Sequence, residues 1–211
     1  MIPVKGTNWQ ILFFLSLAMP SMAQEKTIPG EARVVQVFFT PEYQPPVPAA
    51  DTLYYSPSRM LDWTDFTGLP HHPSRDVAVS YTSFGYIGHS LRHQDTAKVY
   101  LTLQVFFVRS ASWVFPGSEN PAALAHEQLH FDITQLSALH FQAMVQEDTL
   151  LAGDYNSRIQ YLFLDGFRYM DSLQERYDEQ TQHGTDGFEQ ERWKEKIMKS
   201  LGSGPRPALT H

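Results

Sequence analysis

Residues 126–130 read His-Glu-Gln-Leu-His. On an α-helix, side chains four apart differ by about 40° and stack one turn from each other, so His126 and His130 can reach a single ion. Glu127 falls about 60° from His130, on the flank of the same face, where it can meet a water beside the ion without binding the ion. Two imidazoles and a neighbouring carboxylate are the parts of a zinc hydrolase. Zinc lowers the pKa of water toward about 7, and the carboxylate takes the proton as the oxygen attacks a carbonyl. Glu127 is therefore the expected catalytic base, and His126 and His130 are two expected Zn2+ ligands. Gln128 and Leu129 face elsewhere and are expected to vary freely.

A catalytic zinc site needs a third protein ligand. The helix itself offers none. Leu136 stands where a longer version of the motif would place another histidine, and His140 lies about 15 Å along the axis from His130. Asp132 points about 160° away from His130, which suits a hydrogen bond to a neighbouring element or a helix-surface or inter-helix salt bridge. The third ligand must come from beyond the helix. His183 is the preferred candidate, in the stretch YDEQTQHG at 177–184, beside Gly184, where backbone can approach closely. Asp178 is the alternative, supplying a carboxylate oxygen. His71 and His72 lie among prolines. His89 and His93 are four apart in hairpin territory, where that spacing does not align side chains. All four read as loop or solvent residues.

The elements that must position these residues follow from caps and periodicity. Asn120-Pro121 is a helix start, and helical composition runs to about Glu147. A second helix opens near Asp154. Tyr155, Ile159, Leu162, Phe163, Phe167, Met170, Leu173 and Tyr177 form its apolar stripe, and it should stop at 182–184. A third opens at Asp186, with Glu189 completing a capping box and Phe188, Trp193, Ile197 and Leu201 on its apolar side. Strand composition comes earlier: 34–39, 77–89 with Gly85 and Gly88 as bulge positions, and 98–109, the last two joined as a hairpin. Residues 111–115 continue or edge the sheet, the natural place for an extended peptide substrate to add. In 58–68, Leu61, Trp63 and Phe66 should enter the core. Strands first and helices second predict an α+β fold, an antiparallel sheet with about three helices packed on one side.

The whole chain has 211 residues, 42% hydrophobic and 18% charged, which suits one globular domain. Lys5, an apolar run at 11–19 and the small residues Ser21 and Ala23 predict a signal peptide removed after about residue 23. That run is shorter than the roughly 20 residues a spanning helix needs, and no later stretch could cross a bilayer. The expected divisions are a signal peptide at 1–23, a leader strand and Pro-rich connector at 24–57, the catalytic domain at 58–201 and a flexible tail at 202–211. The product is expected outside the cytoplasm, periplasmic or secreted. There is no cysteine, which removes disulfides, thiolate ligands and a cysteine nucleophile. Net charge is −7, and −8 once Lys5 leaves, which argues against nucleic acid and anionic membranes as partners. The expected partner is a peptide or protein substrate.

Several segments together resemble a bacterial family of unknown function described as predicted secreted zinc-dependent proteases. They are Leu61-Asp62-Trp63-Thr64-Asp65-Phe66 with Gly68, Ser112-Trp113-Val114, the run from His126 through Phe131-Asp132-Ile133-Thr134, Tyr177-Asp178 with Thr181 and His183-Gly184, and Trp193. The likeness spans about residues 58–201. It implies a zincin-like fold with the first long helix as active-site helix, and it adds weight to His183. Two other readings stay open beside the peptidase: a non-catalytic envelope binding protein whose metal site is structural, closed by four protein ligands, and a metal-free envelope protein in which the histidines are incidental.

Overall fold

The structure, a computed structural model, describes residues 34–40, 51–71, 74, 76–93 and 95–202. The expected signal peptide, most of the leader and connector, and all but the first residue of the tail lie outside the described residues.

Strand β5 (Thr96–Val108) is the axis of the sheet, and every other strand of that sheet pairs with it. Its inward residues Ala97, Val99, Leu101, Leu103, Val105 and Phe107 are all buried and alternate with partly exposed ones, the period-two pattern of a strand with one face on a core. Strand β4 (Thr82–His93) lies antiparallel along one edge, from Thr82↔Phe107 to His93↔Thr96. β1 (Val34–Thr40) pairs with 96–102 and β2 (Thr52–Tyr54) with 106–108, so these two share the opposite edge. The pairing of β4 advances one residue at a time through Gly85 and Gly88, so neither glycine marks a bulge.

Two sequence expectations change here. The sheet is mixed rather than antiparallel, because β1 runs parallel to β5. The alternating pattern of 34–39 fixes which side chains face inward but carries no information on strand direction. The expected strand at 77–89 is also two strands: β3 (Ala78–Val79) pairs with β6 (Trp113–Val114) as a separate ribbon. The break falls where backbone donors leave the ladder. Ser80 N–H goes to Glu127 Oε2 at 2.7 Å, and Tyr81 N–H goes to Ser112 Oγ at 2.8 Å.

Three helices follow: α1 (Pro121–Glu147), α2 (Tyr155–Thr181) and α3 (Gly187–Ser200). Asn120 caps α1, its Oδ1 accepting from Ala123 N–H at 2.9 Å, with Pro121 at the first turn. Asp186 caps α3 by accepting from the N–H groups of Phe188 and Glu189. Glu189 does not close the expected capping box and instead pairs with Arg192. The architecture is mixed α+β, as the order of elements implied.

α1 is the centre of the described residues. Residues 126–134 are buried without a break, so it is enclosed on every side. One side packs on β4, β5 and α2 in a core of Phe84, Leu101, Val105, Phe107, Phe131 and Phe141. The other packs on α3, where Leu129 and Ile133 meet Leu173, Tyr177, Trp193 and Ile197. The α1–α2 crossing is tight: a Cβ on Gly166 would lie 3.0 Å from Phe141 Cβ. The segment after β2 closes the remaining side. Leu61 and Phe66 are buried there as expected, while Trp63 is half-buried. No helix among the described residues is long and apolar enough to cross a membrane.

Candidate metal centre

His126 and His130 stack one turn apart on α1, and α2 faces them with Asp178. The two Nε2 atoms are 3.2 Å apart, and Asp178 Oδ1 lies 3.1 Å from His126 Nε2 and 2.9 Å from His130 Nε2. Three donor atoms thus form a nearly equilateral triangle. Donors that share one zinc at about 2.0–2.2 Å stand roughly 3–3.5 Å from each other, so the triangle has the size of a metal site. His126, His130 and Asp178 form a metal-capable group. Asp178 Oδ1 is buried and, among the described residues, has no well-formed hydrogen bond despite its two nitrogen neighbours, as expected of atoms aimed at a common point. Only Asp178 opens to solvent, its side chain 31% exposed against 8% and 10% for the two histidines.

Charge binds the group as well. Burial alone would push the His130 pKa down. The facing Asp178 carboxylate, helped by Glu127 and by Gln174, overrides burial and raises it to about 9. Burial likewise pushes Asp178 up, but the His130 cation holds it well below the usual carboxylate range. A proton on His130 therefore occupies the place of a cation in the metal-free site.

Tyr177, fully buried, forms the wall behind the imidazoles. Its ring stacks on His126 with centroids 4.7 Å apart and meets His130 edge-on at 5.0 Å. Burial, then the charges of Glu127, Asp178 and Asp132, push the Tyr177 hydroxyl far above the usual phenol range, so it stays neutral. Beyond Asp178, α2 ends in a left-handed turn through Gln182, His183 and Gly184, with φ of 50°, 54° and 81°. Thr181 Oγ1 braces the turn, donating to Tyr177 O at 2.7 Å and accepting from Gly184 N–H at 3.3 Å. Gly184 lies against His126, where a Cβ would come within 2.9 Å of the ring.

This turn sets where the two candidate third ligands stand. Asp178 is still helical and shares a face of α2 with Gln174, one turn earlier. His183 is past the helix end and pairs outward, its Nδ1 2.9 Å from Asp76 Oδ1. The structure therefore gathers Asp178, not the preferred His183, with the two histidines. His183 stands at the rim.

Glu127 is buried. Ser80 N–H holds its Oε2 at 2.7 Å, and Ser80 Oγ donates to its backbone carbonyl at 3.3 Å. It lies within electrostatic reach of His130, whose pKa it helps to raise. The strand beside Glu127 is therefore β3, with β6 behind it, so 111–115 is not the edge nearest the site.

Other residues proved more constrained than the motif suggested. Gln128, expected to vary freely, is 3% exposed. Its Oε1 accepts from Leu61 N–H at 2.7 Å and its Nε2 donates to Asp132 Oδ1 at 3.1 Å. Asp132, buried, also accepts from Tyr55 Oη at 3.0 Å, so it anchors a neighbouring element. Gln174 was missed altogether; its Oε1 lies 3.0 Å from His130 Nδ1. The one available signal was its place four residues before Asp178.

His71 meets the Trp113 ring edge-on, and exposed His89 stacks on Tyr100. Neither approaches the centre. His72 lies outside the described residues. Comparison with protein-family models, curated proteins and solved structures gives no match.

Proposed function

We propose that this chain is an exported zinc-dependent hydrolase, a metallopeptidase, in which His126, His130 and Asp178 hold the ion and Glu127 is the general base. The observation that carries this reading is the donor triangle of 2.9–3.2 Å beside a buried carboxylate that is not part of it. Two imidazoles and one carboxylate match the donor set of catalytic rather than structural zinc. Among the described residues the group has three members, which leaves a position for water and favours the enzyme over the structural-clip alternative.

Bound zinc would supply Lewis acidity, acidifying water and polarising a carbonyl. The chain's own residues do the rest. Ser80 N–H fixes one oxygen of Glu127, leaving the other to take a proton from water and return it to the leaving amine. Neutral Tyr177 keeps bulk water away from the rear of the imidazoles. β3 is the strand beside Glu127, with exposed Val77 and Tyr81 next to it, so an extended peptide adding along β3 is the binding mode this reading implies. The zincin-like character of the active-site helix, and the likeness to secreted zinc proteases, belong to the same proposal.

Metal analysis of the purified protein, combined with digestion of a broad peptide library with and without chelator, tests it. About one zinc per chain and chelator-sensitive cleavage are expected. Stoichiometric zinc with no cleavage of any peptide would favour the structural site, and less than a tenth of an equivalent would remove the metal reading.

A further inference from the structure

We propose that Gln174 is a positioning residue that sets the tautomer of His130, so that its Nε2 lone pair faces the metal; this rests on the metal reading above. The geometry runs through three hydroxyl and amide groups. Thr134 Oγ1 is fully buried and donates its single proton to His130 O at 3.0 Å. Its oxygen is then left to accept, from Thr82 Oγ1 at 2.7 Å and from Gln174 Nε2 at 3.1 Å. Gln174 Nε2 is also 3.5 Å from Thr82 Oγ1. With its nitrogen committed to the two threonines, the Gln174 amide can turn only Oε1 toward His130 Nδ1, 3.0 Å away.

An amide oxygen accepts and cannot donate. His130 Nδ1 must therefore carry the hydrogen. A neutral imidazole has one N–H, so Nε2 keeps its lone pair, and Nε2 is the atom that meets His126 and Asp178. The outer partner of a metal-binding histidine fixes ring orientation and tautomer in this way. The arrangement is one-sided, because His126 Nδ1 has no hydrogen-bond partner among the described residues. On that side the His126 ring is held by packing, between Tyr177 and Gly184. Gln174 and Asp178, one turn apart on α2, thus take the two nitrogens of one ring.

The test is zinc titration against a competing chelator for the wild type, Gln174→Met and Gln174→Glu, with the imidazole 1H–15N spectrum of each zinc-loaded protein. Methionine keeps the volume and loses the acceptor; glutamate keeps the acceptor. Gln174→Met should raise the zinc Kd by about 10–100-fold and lose the slowly exchanging His130 Nδ1 proton, and Gln174→Glu should recover both. Equal Kd values for wild type and Gln174→Met would overturn the role of Gln174 and leave the metal site standing. Loss of affinity that glutamate does not rescue, with an equal drop in chelator-treated melting temperature, would make Gln174 a packing residue only. A wild type that takes no zinc would overturn the metal reading and this inference together.

Discussion

Asp178 Oδ1 lies 2.9 Å from His130 Nε2, a contact between two helices whose facing residues are both spaced by one turn. His126 and His130 project from α1, and Gln174 and Asp178 from α2. If this juxtaposition is a metal site, Asp178→Ala should weaken zinc binding by more than the 10–100-fold typical of outer partners. His183→Ala should leave the affinity close to wild type. Isothermal titration of both variants decides the matter. The opposite ranking would restore His183 as the ligand.

Glu127 stands apart from the donor triangle, so its substitution should separate binding from chemistry. Glu127→Gln keeps the volume and an oxygen for Ser80 N–H but removes the base. Zinc content should stay at one equivalent, while kcat for peptide cleavage falls by about 10²–10⁴, the usual share of general-base catalysis. Parallel metal analysis and single-peptide kinetics read both numbers. A fully active Glu127→Gln would remove the residue from the chemistry.

The proton that His130 holds in the metal-free site competes with zinc for the same lone pair. Its pKa is raised to about 9, so zinc must displace a proton at any lower pH. Affinity should therefore rise about tenfold per pH unit between 6 and 8 and flatten above about 9. Titration calorimetry in two buffers of different ionisation enthalpy should report the released proton. The sign for folding is the reverse. A raised folded-state pKa stabilises the metal-free protein fully below about 6.5, and that contribution is lost as pH rises through 9. The chelator-treated protein should thus lose stability over the range in which zinc binding improves.

The parts of this site that were legible in the sequence are those set by local geometry. The His126–His130 spacing, the Asn120-Pro121 cap and the period of α2 each follow from one helix considered alone. The rest depended on tertiary phase. α1 shows no clear amphipathic stripe because residues 126–134 are enclosed all round, and polar Gln128 and Thr134 are buried against Leu61, Thr82 and Gln174, partners that only the fold supplies. The stop of α2 was itself legible, expected at 182–184 and found after Thr181, but the path of the chain beyond it was not. Three consecutive left-handed residues end the helix before His183 can share its face, and no periodicity reveals that. The direction of β1 was equally hidden, since alternation is the same for parallel and antiparallel neighbours.

Gly184 couples that turn to the metal centre. Its φ of 81°, and the 2.9 Å that would separate an alanine Cβ from the His126 ring, leave no room for a side chain. The backbone alone should cost about 1–2 kcal/mol, and relief of the clash requires His126 to move. Gly184→Ala should therefore lower the chelator-treated melting temperature by several degrees, at about 2–4 °C per kcal/mol, and weaken zinc binding as well. Differential scanning calorimetry with and without zinc separates the two effects, and an unchanged midpoint would mean that the turn does not press on the ring.

Gln128 supplies the complementary case, a motif residue that carries the fold rather than the chemistry. Replacing it with leucine keeps the bulk and strands the buried Leu61 N–H, which now donates to Gln128 Oε1 at 2.7 Å. A buried donor left without an acceptor costs about 1–3 kcal/mol, and Asp132 loses one of its donors at the same time. Gln128→Leu should thus lower the urea midpoint without a change in slope, while zinc affinity stays near wild type, because neither Gln128 nor Leu61 belongs to the donor triangle. A variant as stable as the wild type would show that the Leu61–Gln128 bond adds nothing to the hold of this segment on α1.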